Sequence, residues 1–114
     1  MGGSGERESV GAGLPRGPEC PRKFETRLVD VFQTGNATYA LSLQPGAELD
    51  LQVSADGNTV VLTHEAREIG YLPPQHGVVA ECIHSGWRYT ASVIEVTGDE
   101  RAPIVRVLVV GTPP

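Results

Sequence analysis

Apolar and polar residues alternate most clearly in the middle of the chain. Apolar side chains occupy every second position of residues 49–53, the pattern of a β-strand with one solvated face. Asp56-Gly57-Asn58 then precedes the strand-like residues 59–63, a composition typical of a tight hairpin. A turn at 65–67 leads into a further strand at 68–72. This region therefore predicts a three-stranded meander.

The residues before the meander are less regular. Residues 24–32 are rich in β-branched and aromatic side chains and predict a first strand, which the turn-forming cluster Gln33-Thr34-Gly35-Asn36 ends. Residues 37–43 fit either a helical turn or an irregular strand.

One short helix is predicted over about residues 74–85. Pro73-Pro74 ends the preceding strand, because the second proline lacks an N–H and has the φ suited to a first helical turn. Apolar residues then recur at helical spacing between 78 and 83, and Gly86 stands where a left-handed C-cap residue would.

Two strands complete the chain. Residues 89–96 alternate, and a turn at 97–100 leads to residues 104–110, which are apolar except for Arg106. A strand with two apolar faces is either central in a barrel or sandwich, which is the favoured interpretation, or covered by a partner at a dimer seam.

Length and composition define a single small domain. The chain has 114 residues, of which 39% are hydrophobic, enough for one modest core. Residues 1–22 are rich in Gly and Pro and are interpreted as a disordered tail or linker, residues 23–111 as the domain, and residues 112–114 as a C-terminal end. The predicted fold is mainly β: a small, five- or six-stranded barrel of the OB kind with one short helix.

Charge limits the function classes. The net charge is -5, and it divides into +1 over residues 1–23 (four basic, three acidic) and -6 over residues 24–114 (five basic, eleven acidic). An acidic body argues against general binding to phosphate backbones. A local arginine cluster could still serve a short single-stranded end.

The remaining composition predicts a cytoplasmic protein. Cys20 and Cys82 do not form the pattern of a disulfide framework, and Cys82 is interpreted as a small core residue. The N-terminal residues resemble no signal peptide, and no apolar run is long enough to cross a membrane.

Several short motifs, in this order, resemble the HIRAN family. They are Pro45-Gly46-Ala47-Glu48-Leu49-Asp50-Leu51, Glu68-Ile69-Gly70-Tyr71-Leu72-Pro73, Ile83-His84-Ser85-Gly86, and the run from Tyr89 to Gly98. The resemblance implies an OB-like barrel with a helical excursion that captures the 3′ end of single-stranded DNA by aromatic stacking and contacts to the terminal hydroxyl. The family's Asn-Pro-Tyr-Asp-like segment is reduced here to Ser54-Ala55-Asp56-Gly57-Asn58, which lacks the stacking aromatic.

Five residues are candidates for binding nucleic acid or another ligand: Tyr39, Tyr71, Trp87, Arg88 and Tyr89. Trp87 and Tyr89 share a strand face and are either a stacking platform or, as aromatic residues in a small domain usually are, part of the core. Tyr71 follows a glycine that would let a backbone or a ligand come close. Tyr39 lies where the first contact loop of the family would fall.

The sequence contains no catalytic signature. The histidines and Cys82 lack the convergent spacing of a zinc site, and no phosphate-binding glycine loop is present. We therefore expect a binding module without catalysis, cofactor or metal. The expected partner is a single-stranded DNA end, or alternatively a protein or a second copy that contacts the strand at 104–110.

Overall fold

The computed structural model describes residues 19–114, and it is mainly β. All six of its strands belong to one antiparallel sheet. The strands are β1 (Lys23–Arg27), β2 (Glu48–Val53), β3 (Val60–His64), β4 (Arg67–Tyr71), β5 (Arg88–Gly98) and β6 (Pro103–Thr112). The helices are α1 (Ala37–Leu41) and α2 (Val78–His84), and Phe32–Thr34 and Pro74–His76 form single 3₁₀ turns.

The sheet closes on itself. Its strand order is β1-β6-β5-β2-β3-β4, and the chain just after β1 reaches the opposite edge. There the Val29 and Tyr71 amides each donate a hydrogen bond of 2.9 Å to the other residue's carbonyl. Closure removes the unpaired edges that leave a small open sheet vulnerable. The prediction of a mainly β barrel of five or six strands is thus confirmed, and the number of strands is six.

The alternating side chains of the strands form the core. Val105, Val107 and Val109 of β6 point inward and are 0% exposed. Because β6 pairs with β1 on one side and β5 on the other, the predicted central position of this strand is confirmed. The backbone of β6 is therefore unavailable for pairing with a second copy, and any contact would have to use its outer face.

Most predicted elements after residue 45 are confirmed. The hairpin at 56–58 joins β2 to β3, with Gly57 at a φ of 79°. The predicted helix is present as the Pro74–His76 turn followed by α2, and the ambiguous residues 37–43 contain α1.

The first strand is shorter than predicted. It ends at Arg27 instead of 32, because the chain bends away to close the barrel and Asp30 adopts a left-handed φ of 58°. Phe32 consequently lies in a 3₁₀ turn and is 55% exposed. The period-2 pattern of residues 24–32 could not reveal this bend.

The predictions about the N-terminal tail and the cysteines are corrected. Residues 1–18 lie outside the described part of the chain, but residues 20–22 pack against the barrel, so the tail does not extend to 22. Cys20 forms a disulfide with Cys82 of α2, which is 62 positions away in the sequence. The bond forms because the start of β1 lies beside α2 in the fold, a proximity that spacing in the sequence does not encode.

Among residues 19–114, no helix is both long and apolar enough to cross a membrane. The cytoplasmic location stays a prediction.

Candidate functional site

The five predicted binding residues do not share one groove. Trp87, Arg88 and Tyr89 lie at the start of β5, Tyr39 lies in α1, and Tyr71 ends β4. Each location has its own packing and charge.

Tyr89 is a core residue. It is 6% exposed, and its hydroxyl donates a hydrogen bond of 2.9 Å to the Pro21 carbonyl. Its ring lies over Gly111, its register partner on β6, and burial raises the pKa of the hydroxyl. Tyr89 is therefore not available for stacking on a base, and the core interpretation applies.

Trp87 extends the same cluster. Its ring is half-buried and stacks on Tyr89 with centroids 6.0 Å apart, and the Arg22 guanidinium lies 5.7 Å from the indole centroid. Arg88 is exposed on the opposite strand face. This cluster holds the N-terminal segment against the barrel.

Tyr39 is occupied by neighbouring side chains. Its hydroxyl lies 2.6 Å from Nδ1 of His64, and the Arg67 guanidinium lies 4.5 Å from the ring centroid. Tyr39 and Arg67 border a shallow depression of about 420 Å³. One ring face is thus already engaged in a cation–π contact.

Tyr71 stands between two depressions. A depression of about 530 Å³ lies on one side and a depression of about 690 Å³ on the other. Asp30, Thr59 and Tyr71 line both, and we call these three residues the Tyr71 ridge. An aromatic side chain in this position can offer its ring to a flat ligand.

Barrel closure positions the ridge. Gly70 lies under the returning chain, where a Cβ atom would come within 3.0 Å of Leu28 Cβ and 3.2 Å of the Val29 carbonyl oxygen. A larger residue would push these neighbours away by a few tenths of an ångström, so glycine suits this close approach inside a strand. The Val29–Tyr71 bridge then fixes the Tyr71 backbone, and the ring projects on the outer face beside Val61.

The two depressions differ in chemistry. The smaller one is largely apolar, with lining that includes Val29, Val60, Leu72, Pro73 and Pro74. The larger one carries the carboxylates of three residues, Asp30, Asp56 and Glu68. Neither is lined by Lys or Arg. Burial, followed by the negative charge of Glu68, raises the pKa of Tyr71.

Asp56 organises the loop that walls both depressions. Its Oδ1 accepts hydrogen bonds from Ser54 Oγ at 2.6 Å, the Asn58 amide at 2.8 Å and the Thr59 amide at 3.1 Å. Its Oδ2 accepts one from Thr59 Oγ1 at 3.1 Å. These bonds, led by that from Ser54, lower the pKa of Asp56 to about 2. The Asp56 carboxylate therefore braces the shortened hairpin.

His76 contributes to the apolar depression. Its ring stacks on Phe24 with centroids 4.4 Å apart, and burial lowers its pKa. Its Nε2 atom is buried without a hydrogen-bond partner among the described residues. Burial thus favours the neutral form of this imidazole, which borders the depression.

Phe32 was not predicted as a site residue. It is 55% exposed, and together with Arg101 it borders two further shallow depressions, one of which also includes Arg27. Asp30 lines the depression that holds Arg27, so this surface adjoins the Tyr71 ridge. The turn cluster at 33–36 was a signal for a loop here, but the exposure of the aromatic ring depends on where the strand ends.

Metal binding has no support from the described geometry. Among residues 19–114, no group of three or more His, Cys, Asp or Glu side chains is arranged to hold an ion.

Comparison with solved structures identifies the class of fold and nothing more specific. The chain is similar to a protein from Lactobacillus plantarum whose crystal structure was determined as a structural genomics target. The TM-score is 0.63 at 17% sequence identity, and the similarity covers 76% of this chain and 90% of that protein. No protein-family profile and no curated protein matches the sequence. The likeness shows the fold alone.

Proposed function

We propose that this chain is a non-catalytic binding module, and that it engages the end of a single DNA strand at the Tyr71 ridge. The observation that carries the proposal is the position of Tyr71, a half-buried aromatic ring with an open depression on each side. Stacking of a base on such a ring contributes about 1–3 kcal/mol per base. The resemblance to the HIRAN family supports the same ligand.

The charge pattern favours a strand end over an internal stretch. Asp30, Asp56 and Glu68 surround the larger depression, and they repel a phosphate that continues past the stacked base. A terminal nucleoside with a free 3′ hydroxyl carries no such phosphate, and a hydroxyl can donate a hydrogen bond to a carboxylate. The acidic rim therefore tolerates an end and disfavours a continuous strand.

The surface beside the Tyr71 ridge carries side chains that can contact the nucleotides before the terminal one. Phe32 supplies an exposed ring, and Arg27 and Arg101 supply positive charge beside it. Aromatic rings interleaved with cations are the usual means of holding single strands. Two arginines suffice for a binding site of only a few nucleotides, which agrees with the excess of acidic residues in the rest of the domain.

Fluorescence anisotropy with short labelled oligonucleotides at low salt tests this function. We expect a strand with a 3′ hydroxyl to bind, and a 3′-phosphorylated strand to bind about tenfold more weakly because of the added charge near the carboxylates. Absence of binding by both strands at low salt would rule out DNA as the ligand. Equal binding of both would rule out recognition of the end.

Two pairs of variants locate the site. Tyr71→Ala should weaken binding by roughly 5- to 150-fold, the equivalent of one lost stack, whereas Tyr71→Phe should retain it. Arg101→Ala should reduce both the affinity and its salt dependence, whereas Arg88→Ala removes the same charge from the exposed start of β5, outside the proposed path, and serves as the control. Equal effects of the two arginine variants would contradict the proposed path.

A second candidate function is binding of a protein partner or of a second copy, because the outer face of β6 carries partly exposed apolar side chains. Val110 is 40% exposed and Leu108 is half-buried on this face. Sedimentation of the chain at high concentration tests the dimer, and Val110→Asp should shift any dimer to monomer. A monomer at all concentrations would leave only a different protein as partner.

A further inference from the structure

One covalent bond ties the N-terminal segment to the helical side of the barrel. Cys20 precedes β1, and Cys82 lies in α2. Cys82 is 0% exposed, whereas Cys20 is partly exposed. The sulfur of Cys20 is therefore the more accessible of the two.

Weak contacts complete the attachment of residues 20–22, which we call the N-terminal strap. The Pro21 carbonyl accepts the Tyr89 hydroxyl, and the Arg22 carbonyl accepts the Gly111 amide at 2.8 Å. The Arg22 guanidinium lies 5.7 Å from the centroid of the Trp87 ring. Two hydrogen bonds and one exposed cation–π contact thus attach Pro21 and Arg22, and Cys20 also packs against the hydrophobic core.

We propose that the Cys20–Cys82 bond is a site of reversible thiol–disulfide exchange, and that its reduction releases the N-terminal strap from Trp87 and Tyr89 while the barrel stays folded. The proposal is independent of the ligand proposed above. It assigns the bond a role as a redox-controlled latch.

The exchange is a two-electron reduction by a dithiol. A thiolate of the dithiol attacks the Cys20 sulfur, the S–S bond breaks, and the Cys82 sulfur leaves with the electron pair and takes up a proton. The second thiol of the dithiol then attacks the mixed disulfide and releases Cys20 as a thiol. The protein gains two electrons and two protons, and the dithiol becomes a cyclic disulfide.

Reduction removes the covalent attachment of the strap and leaves its noncovalent contacts. Ordering each backbone residue opposes the attachment, and each remaining contact offsets only part of that cost. The disulfide contributes by keeping the strap close to its site, so its loss shifts the balance towards release. Exposure of the Trp87 face and loss of the Gly111 bond follow directly.

The barrel itself does not depend on the strap. β1 begins at Lys23 and pairs with β6 over five positions, after the strap has ended. Closure at Val29 and Tyr71 lies beyond the other end of β1. Reduction therefore removes an attachment at the periphery of the sheet and leaves its pairing and core in place.

Two kinds of native reporter, the tryptophan ring and backbone amides, test the latch in the full chain. Trp87 is the only tryptophan, so acrylamide quenching of its emission reports the strap alone. The Gly111 amide reports the lost bond to Arg22, and the Tyr71 and Val93 amides, bonded to Val29 and Ala47, report the barrel. On adding a dithiol we expect the amide resonance of Gly111 to shift, its hydrogen exchange to become at least about tenfold faster and quenching of Trp87 to become more efficient, while the amide resonances of Tyr71 and Val93 keep their folded positions.

A matched variant separates the disulfide from other effects of the reagent. Cys20→Ser/Cys82→Ser should show the open behaviour at Gly111 and Trp87 without a dithiol, and should not respond when it is added. Loss of the folded amide resonances of Tyr71 and Val93 together with that of Gly111 would overturn the latch, since the bond would then hold the whole fold. Unchanged Gly111 and Trp87 in the reduced chain, or two free thiols in protein prepared without reductant, would also overturn it.

Discussion

Two tyrosines at strand ends have different roles in this barrel. Tyr89 donates its hydroxyl to a backbone carbonyl at 2.9 Å and is 6% exposed, whereas the Tyr71 hydroxyl lies 3.4 Å from the Glu68 carboxylate and the side chain is half-buried. The difference lies in what covers each ring. The N-terminal strap covers Tyr89, and nothing within residues 19–114 fills the depressions beside Tyr71. Tyr89 is structural because it is buried and its hydroxyl has a hydrogen-bond partner. Tyr71 is a candidate for binding because the depressions beside it are unfilled.

Removal of the disulfide that holds the strap over Tyr89 should have the largest effect on the free energy of unfolding. The bond closes a loop of 62 positions, and the chain-entropy model assigns such a loop about 4 kcal/mol of stability. We expect Cys20→Ser/Cys82→Ser to lower the free energy of unfolding by up to that amount, measured by urea denaturation at neutral pH. The wild-type chain in a dithiol is the control and should match the variant; a wild-type value that does not fall on reduction would contradict the prediction.

Gly111→Ala should have the next largest effect. A Cβ atom there would lie 2.8 Å from Cζ of Tyr89 and 2.9 Å from the Pro21 carbonyl oxygen. Overpacking of this kind costs about 1–3 kcal/mol, and the disulfide prevents the strap from moving away to relieve it. Thermal and urea unfolding measure the loss. In a Tyr89→Ala background the added methyl group should cost much less, and an equal cost in both backgrounds would show that the ring is not the cause.

The matched pair Tyr89→Phe and Tyr71→Phe tests the comparison of the tyrosines directly. Tyr89→Phe loses a buried hydrogen bond and leaves the Pro21 carbonyl without its donor, so we expect a loss of about 1 kcal/mol at neutral pH. Tyr71→Phe loses only a long contact to an exposed carboxylate, so we expect a change within about 0.5 kcal/mol. Equal losses from both variants would show that burial of the hydroxyl does not distinguish them.

The loss of stability at high pH should also depend on Tyr89. Burial raises its pKa above the ordinary value of 10.0, so the folded chain holds the phenolic proton more tightly than the unfolded chain. This contribution is complete below about pH 10 and is lost as the pH rises through the raised pKa, because a phenolate cannot donate to Pro21. We expect Tyr89→Phe to reduce the fall in stability between neutral pH and alkaline pH, measured by urea unfolding across that range.

Asp56→Asn should have the smallest and most local effect. The pKa of Asp56 falls from 3.8 to about 2 in the folded chain, so its contribution is present above about pH 4 and is lost as the pH falls through the lower value. The amide shifts of Asn58 and Thr59 should titrate near pH 2 in the wild type and not in Asp56→Asn. Tyr89 and its strap should be unaffected in the same spectra, and a titration near 4 would mean that the loop bonds are not formed in solution.

The meander was predictable from local signals. Residues 49–53 alternate and Asp56-Gly57-Asn58 has the composition of a hairpin, so both the strand and the turn followed from the chemistry of adjacent residues. The short helix was likewise predictable from Pro73-Pro74 and Gly86. These features depend on interactions over a few positions.

The candidate site was predictable only in part. Tyr71 was among the expected residues because Gly70 precedes it, and the structure places it at the one ridge shared by the two depressions described here. Phe32 was missed, since a strand pattern hid the bend that exposes it. The sequence also indicated Tyr89 as a candidate although it is buried, because the strap that covers it comes from 68 positions away.

By itself, the sequence determined that the protein is a small, mainly β domain with an acidic body, a central apolar strand and a tight hairpin, because periodicity, turn residues and charge are properties of neighbouring positions. Only the tertiary structure decided that Cys20 meets Cys82, that Tyr89 is covered and that Tyr71 is not. Those outcomes depend on barrel closure through Val29 and Tyr71, which brings distant segments together. Neither composition nor spacing specifies which segments meet, since that is settled by the packing of the whole core.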